Sequence, residues 1–318
     1  MRVTSLGSGS SGNAYLIEAG PHARTRLLVD AGFSARTLAE RLRLAGCKPE
    51  WVRGVLVTHE HSDHILGLPL LMKRHRVPIF ADLRTLDAVR AIFSSGELRS
   101  ESGALVRLEA EVSTTSEGGA NLLVREEVTP LQTSSPVASD ELWRPLPAGT
   151  SCAIGDIEVY SFPVSHDAIA PCGYVLSAGG CRVCIVTDSG EVTPVMLEAI
   201  AQADLLILES NHDRARLLSG PYPYHLKQRI LSSTGHLSNA QAAEAVLRTW
   251  RADGVRWLWL AHLSRTNNTP KLALSSMQKN LRDAGANLAH IHISALGREV
   301  SMCWDSTRLW QDTHLWEM

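Results

Sequence analysis

The chain has 318 residues, 44% of them hydrophobic, and a formal net charge of −2, which supplies core for one large or two modest globular domains and by itself excludes no class of partner. No run of about eighteen apolar residues occurs, and the first thirty residues carry no basic-then-apolar pattern, so neither a membrane span nor an export signal is expected and the cytoplasm is the expected location. The cysteines Cys47, Cys152, Cys172, Cys181, Cys184 and Cys303 are scattered, as expected of buried thiols in a reducing compartment.

In chain order, residues 3–6 read as a first strand. Gly7-Ser8-Gly9-Ser10-Ser11-Gly12-Asn13 is a flexible turn into a second strand at 14–17. Glycine there lets backbone approach an active site closely, while the Gly-Lys-Ser/Thr of a phosphate loop is missing. Residues 27–32 read as the next strand, with Asp30 at its end, and Ser34 with Thr37 can open a helix carrying Leu38 and Leu42.

The apolar run 54–57 is followed by Thr58-His59-Glu60-His61-Ser62-Asp63-His64. Three imidazoles and a carboxylate within six positions at a strand end form a dense set of metal ligands. In extended chain His59 and His61 point the same way and can share one ion, while Asp63 and His64, beyond the turn, can reach a second. A polar loop that is histidine-rich by accident is the bland alternative, and the spacing argues against it.

Residues 65–76 read as one helix with Leu66, Leu70 and Leu71 on one face and Lys73, Arg74 and Arg76 at its end, where cations suit the helix dipole. A strand follows at 77–80. The stretch 94–150 holds nine acidic residues and four arginines, a charge of −5 against +3 for the remainder. It is expected to be a partly flexible surface insertion in a single domain, without a core of its own and able to dock a protein partner.

Strand signals resume at 157–162, 173–176 and 181–187. Cys181-x-x-Cys184 has the spacing of half a zinc site or a redox pair, but no second pair stands near it, and packing against a sheet is the simpler role. Ser238 and Gln241 form a capping box for a helix with Ala243, Val246, Leu247 and Trp250 on one face. An apolar strand at 257–260, a helix near 274–281 and two final strands complete an alternation of strands and helices that suits a layered α/β sandwich.

His-x-His-x-Asp-His after a short buried strand resembles the signature of the metallo-β-lactamase fold, which implies a four-layer αββα sandwich. The resemblance also implies His166 as the third ligand of the first metal, Asp188 as a carboxylate bridging both metals, and His262 as the last ligand of the second. Asp30 is then expected to brace the metal loop rather than bind metal. An aspartate at 188, where lactamases often carry cysteine, speaks against β-lactam hydrolysis.

A narrower resemblance lies in Ser8-Gly9-Ser10-Ser11-Gly12-Asn13-Ala14, Glu209-Ser210-Asn211-His212-Asp213, Gly235-His236-Leu237-Ser238-Asn239 and His262-Leu263-Ser264-Arg265-Thr266-Asn267-Asn268. Over about residues 1–80 and 150–296 the chain is similar to the YycJ/WalJ family of bacterial exonucleases, and more distantly to ribonuclease Z. The acidic insertion departs from the compact YycJ pattern. The resemblance implies a metal-dependent phosphodiesterase that degrades DNA from 5′ to 3′ with a hydroxide activated by two divalent ions. Zinc, manganese and iron all suit histidine and carboxylate ligands. Asp63 belongs to the catalytic set. His236, outside the ligand pattern, is the candidate proton donor to the departing oxygen, with Glu209 orienting its ring or relaying the proton. A helix-entry histidine that only bonds backbone is the alternative.

Asn13 is a candidate substrate contact, and His212 either binds the substrate phosphate or orders its own loop. The segment 214–229 carries Arg214, Arg216, Lys227 and Arg229, two tyrosines and no acid, a composition that suits a nucleic-acid strand, although a solvated charged loop would look similar. Competing functions are a small-molecule phosphodiesterase of the PhnP type, a thioester hydrolase of the glyoxalase II type, and a non-catalytic metal-stabilised scaffold docking through 94–150. A full ligand set with an additional acid/base pair disfavours the scaffold.

Overall fold

The computed structural model describes residues 1–99, 105–107, 140–251, 255–300, 302–307 and 309. Among them, two seven-stranded sheets carry the fold. The first runs edge to edge through β16 (Met302–Asp305), β1 (Arg2–Gly7), β2 (Ala14–Ala19), β3 (Thr25–Val29), β4 (Gly54–Leu56), β5 (Ile79–Ala81) and β8 (Trp143–Pro145). The second runs through β15 (Ile291–Ala295), β14 (Arg256–Ala261), β13 (Leu205–Glu209), β12 (Cys181–Val186), β11 (Cys172–Ala178), β10 (Ile157–Pro163) and β9 (Ser151–Ile154). A small separate sheet pairs β6 (Glu97–Arg99) with β7 (Leu105–Arg107) antiparallel.

Each sheet passes from antiparallel to parallel pairing. β3, β4, β5 and β8 run parallel, and so do β12, β13, β14 and β15. Parallel neighbours require crossover connections, and the crossover helices cover the sheet faces. The helices are α1 (Ala35–Leu44), α2 (Ser62–Ile65), α3 (Leu68–His75), α4 (Leu83–Ser95), α5 (Pro194–Ala201), α6 (Arg214–Ser219), α7 (Tyr224–Leu231), α8 (Asn239–Arg248) and α9 (Pro270–Asp283).

Side chains alternate across each strand, so adjacent residues enter different cores. Leu16 and Val55 pack with Leu38, Leu42, Leu71 and Val89 of the helices outside the first sheet. Their neighbours Tyr15, Ile17 and Leu56 meet Ile185, Ile207, Trp257 and Trp259 between the sheets. Leu206, Leu208, Leu258 and Leu260 pack on Met196, Ile200, Val246 and Met277 of α5, α8 and α9. Three cores separate four layers, the αββα sandwich. Cys181 faces the core between the sheets and Cys184 the core under the helices, so this pair cannot converge on one ion or form a disulfide. Cys152 is half-buried and Cys303 exposed, unlike the buried thiols expected; all six are free.

The helix expected over 65–76 is broken. Gly67 donates its N–H to Ala31 O at 2.7 Å instead of continuing the helical ladder, and Pro69 opens α3 as a favourable first-turn residue. The buried face of α3 is Leu68, Leu71 and Met72, so Leu66 and Leu70 do not lead it. The expected insertion starts inside α4. Its end also contributes to the fold, since Trp143 opens the edge strand β8 and Leu98, Leu142 and Trp143 belong to the first core. Residues 100–104 and 108–139 of that stretch lie outside the described residues.

Parallel strands present their C-terminal ends at one edge of a sheet, and connections there place functional side chains together. Here the segments leaving β4, β10, β12, β13 and β14 meet across the two sheets. Cys172 N donates to Thr58 O at 3.0 Å, and Tyr174 Oη reaches Val57 O through the inter-sheet core at 2.6 Å. Gly32 sits flat beneath this junction, where any Cβ would stand 1.6 Å from Asp63 O.

Candidate metal centre

His59 lies three residues beyond β4, His166 three beyond β10, Asp188 two beyond β12, and His262 directly follows β14. The structure brings these strand-end residues together with the rest of the expected ligand set. His59 Nε2 is 3.1 Å from His61 Nδ1, and His166 Nε2 is 3.4 Å from the same atom. On the other side Asp63 Oδ2 stands 3.4 Å from both His64 Nε2 and His262 Nε2. Asp188 lies between these two groups. Its Oδ2 is 3.2 Å from His64 Nε2 and its Oδ1 is 3.2 Å from His262 Nδ1.

The far nitrogens of His59, His64, His166 and His262 are held from behind. His64 Nδ1 donates to Asp30 Oδ2 at 2.7 Å, His166 Nδ1 to Gly235 O at 3.1 Å, and His262 Nδ1 to Glu209 Oε1 at 3.2 Å. His59 Nδ1 is 3.0 Å from Thr58 Oγ1, whose hydroxyl donates to Asp30 Oδ2 at 2.9 Å. A proton fixed on the outer nitrogen leaves the inner lone pair for coordination, and such outer partners orient metal-binding histidines. Asp30, in left-handed backbone at φ 61°, also accepts Thr58 N–H at 2.8 Å; it braces the loop and stands outside the donor groups.

Charge is strongly coupled here. Burial and the imidazoles of His64, His61 and His166 hold His59 well below the ordinary histidine value, so its ring is neutral. Burial alone would raise both inner carboxyls, yet His64 and His262 hold Asp63 and Asp188 below the usual carboxylate range. Burial likewise opposes a charge on His64, but Asp30, Asp63 and Asp188 keep its proton on and raise its pKa well above normal. Two anionic carboxylates, the neutral ring of His59 and the charged ring of His64 crowd a volume in which each group's donor atoms lie within 4.8 Å of one another, and a cation bound at His64 Nε2 would take the place of that ring's inner proton. Asp63 Oδ1 is buried with no hydrogen-bond partner among the described residues. An orphaned carboxylate oxygen facing converged lone pairs fits divalent cations, and nitrogen and oxygen donors without thiolate suit zinc, manganese or iron.

His236 and Glu209 stand beside this cluster. His236 Nδ1 is 2.7 Å from Glu209 Oε1 and 3.4 Å from Asp188 Oδ1. Glu209 Oε2 accepts the N–H groups of Ser189 and Leu237 at 2.9 and 3.1 Å, so a fully buried carboxylate orients both His236 and His262.

Other expected contacts are placed differently from one another. Asn13 is fully buried; its Nδ2 lies 3.4 Å from Asp63 Oδ2 and 3.2 Å from His64 Nε2, beside the donor atoms, and its Oδ1 accepts Gly9 N–H at 2.9 Å. Arg214 and Arg216 are exposed on α6. Lys227 Nζ folds onto Leu218 O at 2.7 Å, and Arg229 Nε meets Asp167 Oδ2 at 2.5 Å. His212 is fully buried, with neither ring nitrogen hydrogen-bonded within the described residues.

Sequence reasoning missed the Thr58 hydroxyl, the Asp167 carboxylate on Arg229, and Ser8. Ser8 Oγ accepts the N–H of His262 at 2.8 Å and steadies that residue's left-handed backbone, φ 51°. The proximity of Thr58 and Asp167 to ligand histidines was their only signal.

Burial pushes His212 down to about 4. A histidine whose folded pKa lies below its unfolded value takes up a proton on unfolding, so its stability contribution is full above about pH 6.5 and is lost as pH falls toward 4. Denaturant titrations from pH 7 to 4 should show His212→Phe gaining on the parent by on the order of 3 kcal/mol across that window. A pH-independent difference between the two would place the His212 pKa at its ordinary value.

A model of the Metallo-beta-lactamase superfamily matches residues 7–225. The chain is 33% identical over 279 residues to a Streptococcus pneumoniae protein named exodeoxyribonuclease WalJ, covering 88% of this chain and 87% of that protein. It is 32% identical over 280 residues to exodeoxyribonuclease YycJ of Bacillus anthracis, covering 88% and 89%. Among solved structures, the metallo-beta-lactamase fold protein YhfI from Bacillus subtilis superposes with a TM-score of 0.59 at 16% identity, over 95% of this chain and 98% of that one.

Proposed function

The chain belongs to the metallo-beta-lactamase superfamily, and we propose that it is a metal-dependent exonuclease that shortens DNA from the 5′ end. One observation carries the reading within the fold: a buried His236–Glu209 pair set against converging histidine and carboxylate donors. The identity to two proteins named exodeoxyribonucleases over 88% of the chain supports DNA as the polymer. Among the described residues no helix is long and apolar enough to cross a membrane.

His59, His61 and His166 would hold one divalent ion and Asp63, His64 and His262 a second, with Asp188 facing both. When bound, two such ions lower the pKa of water toward neutrality and neutralise charge on the phosphodiester oxygens. The chain's own residues do the rest. Asp63 and Asp188 keep the centre anionic, so substrate phosphate enters only where cations offset them. Glu209 orients His236 through Nδ1, and His236 gives a proton to the departing oxygen. The burial of His236, 4% exposed, excludes most water from that transfer.

The α6–α7 segment, with exposed Arg214 and Arg216, supports a polymer over a small diester. The test of the activity is metal-reconstituted protein offered 5′-phosphorylated single-stranded and duplex DNA, RNA, and bis(p-nitrophenyl) phosphate. His236→Ala should retain its metal and lose about a hundredfold or more in kcat on DNA, with a smaller loss on the aryl diester, whose leaving group needs no proton. Equal losses on both substrates would remove His236 from proton transfer. Arg214→Ala, Arg216→Ala, Lys227→Ala and Arg229→Ala combined should weaken DNA binding and flatten its salt dependence by about one power of salt for each phosphate no longer held. An unchanged salt slope would make the segment a solvated surface.

A further inference from the structure

Beside the donor cluster lies a cleft of about 650 Å³, its open mouth included. His236 lines it, and the same ring stands 3.4 Å from Asp188 Oδ1. The cleft therefore adjoins the donor cluster on the side where, under the proposed function, the leaving oxygen departs. Tyr222, Leu226 and Ile230 form an aromatic and apolar wall, while Ser10, Asn211 and Ser264 bring small polar groups from three other loops.

The α6–α7 segment that supplies the wall is tied on both sides. Tyr222 Oη donates to Thr266 Oγ1 at 3.2 Å, and Arg229 pairs with Asp167 next to His166. A lining of one aromatic ring, apolar side chains and small polar groups suits a single nucleotide unit. A tyrosine face accepts any base by stacking, and hydroxyl and amide groups suit a sugar, without base-specific readout.

Resting on the exonuclease reading, we propose that this cleft receives the strand's terminal nucleotide, the one that departs with the leaving oxygen. In the cleavage a water oxygen forms the new bond to phosphorus and the P–O3′ bond to the terminal nucleotide breaks. O3′ takes the proton from His236, and the proton lost by the water passes to solvent. The remaining strand keeps a new 5′-phosphate, and the occupant of the cleft leaves as a mononucleotide with a 3′-hydroxyl. Each turnover recreates the same kind of terminus, so the cleft sets the product length at one nucleotide.

The test uses the metal-loaded full chain. Leu226→Trp, which fills the cleft, should lower release of the first nucleotide from 5′-phosphorylated single-stranded DNA about tenfold or more relative to the variant's own turnover of bis(p-nitrophenyl) phosphate. A second arm does not depend on a variant that folds. With the unaltered chain, an abasic tetrahydrofuran residue at the first position should raise KM about fivefold or more, and the same lesion at the third position should do so about twofold at most. An unchanged ratio for Leu226→Trp, equal effects of the two lesions, or oligonucleotide products in place of mononucleotides overturns the cleft assignment while the exonuclease reading stands. Intact DNA alongside turnover of the aryl diester overturns the exonuclease reading, and the cleft assignment with it.

Discussion

The structure depends on the cost of burying charge. Asp63, Asp188 and Glu209 are almost inaccessible to water, and an ionised carboxylate taken from water into protein costs several kcal/mol unless it is paired. The fold meets part of this by giving the histidines around them partners from behind. Asp30 and Thr58 hold His64 and His59, Gly235 O holds His166, and Glu209 holds His262 and His236. What remains uncompensated points inward, at one small volume where lone pairs face each other at 3.1 to 3.4 Å. That arrangement is costly as bare protein and would be favourable around divalent cations.

The framework makes this geometry possible. The donors leave strand ends of both sheets, and the sheets are locked by large side chains such as Tyr15, Tyr174 and Trp304, all fully buried. Because the sites sit on strand ends rather than mid-loop, their positions inherit the rigidity of the inter-sheet core. The α6–α7 segment is different. It belongs to neither sheet and is held by side-chain bonds to Thr266 and Asp167, which suits an element that contacts substrate.

Much of this was legible in the chain. The strands read at 14–17 and 257–260 are present as β2 and β14, and period-two alternation within β2 sends Leu16 and Tyr15 into different cores. The expected donors stand out because His59, His166, Asp188 and His262 each lie one to three residues beyond a strand rich in apolar residues. Long-range partners were not legible. Gly67 ends a helix because its N–H is taken by Ala31 O, and Arg229 is engaged by an aspartate 62 positions away. Asn13, a candidate substrate contact, is tied from the other loop by Asp63, whose carbonyl accepts the Asn13 N–H at 2.8 Å. Local pattern carries the strands and their ends; the hydrogen bonds that tune the site depend on how the two sheets meet.

The central claim is that the converging donors hold the metal on which hydrolysis depends, and elemental analysis coupled to activity tests it most directly. The account predicts about two first-row divalent ions per chain in active protein, with Asp188→Ala losing both metal and DNA hydrolysis while keeping its fold by circular dichroism. Protein that remains fully active with no bound metal, or an Asp188→Ala variant that keeps both metal and activity, would contradict it.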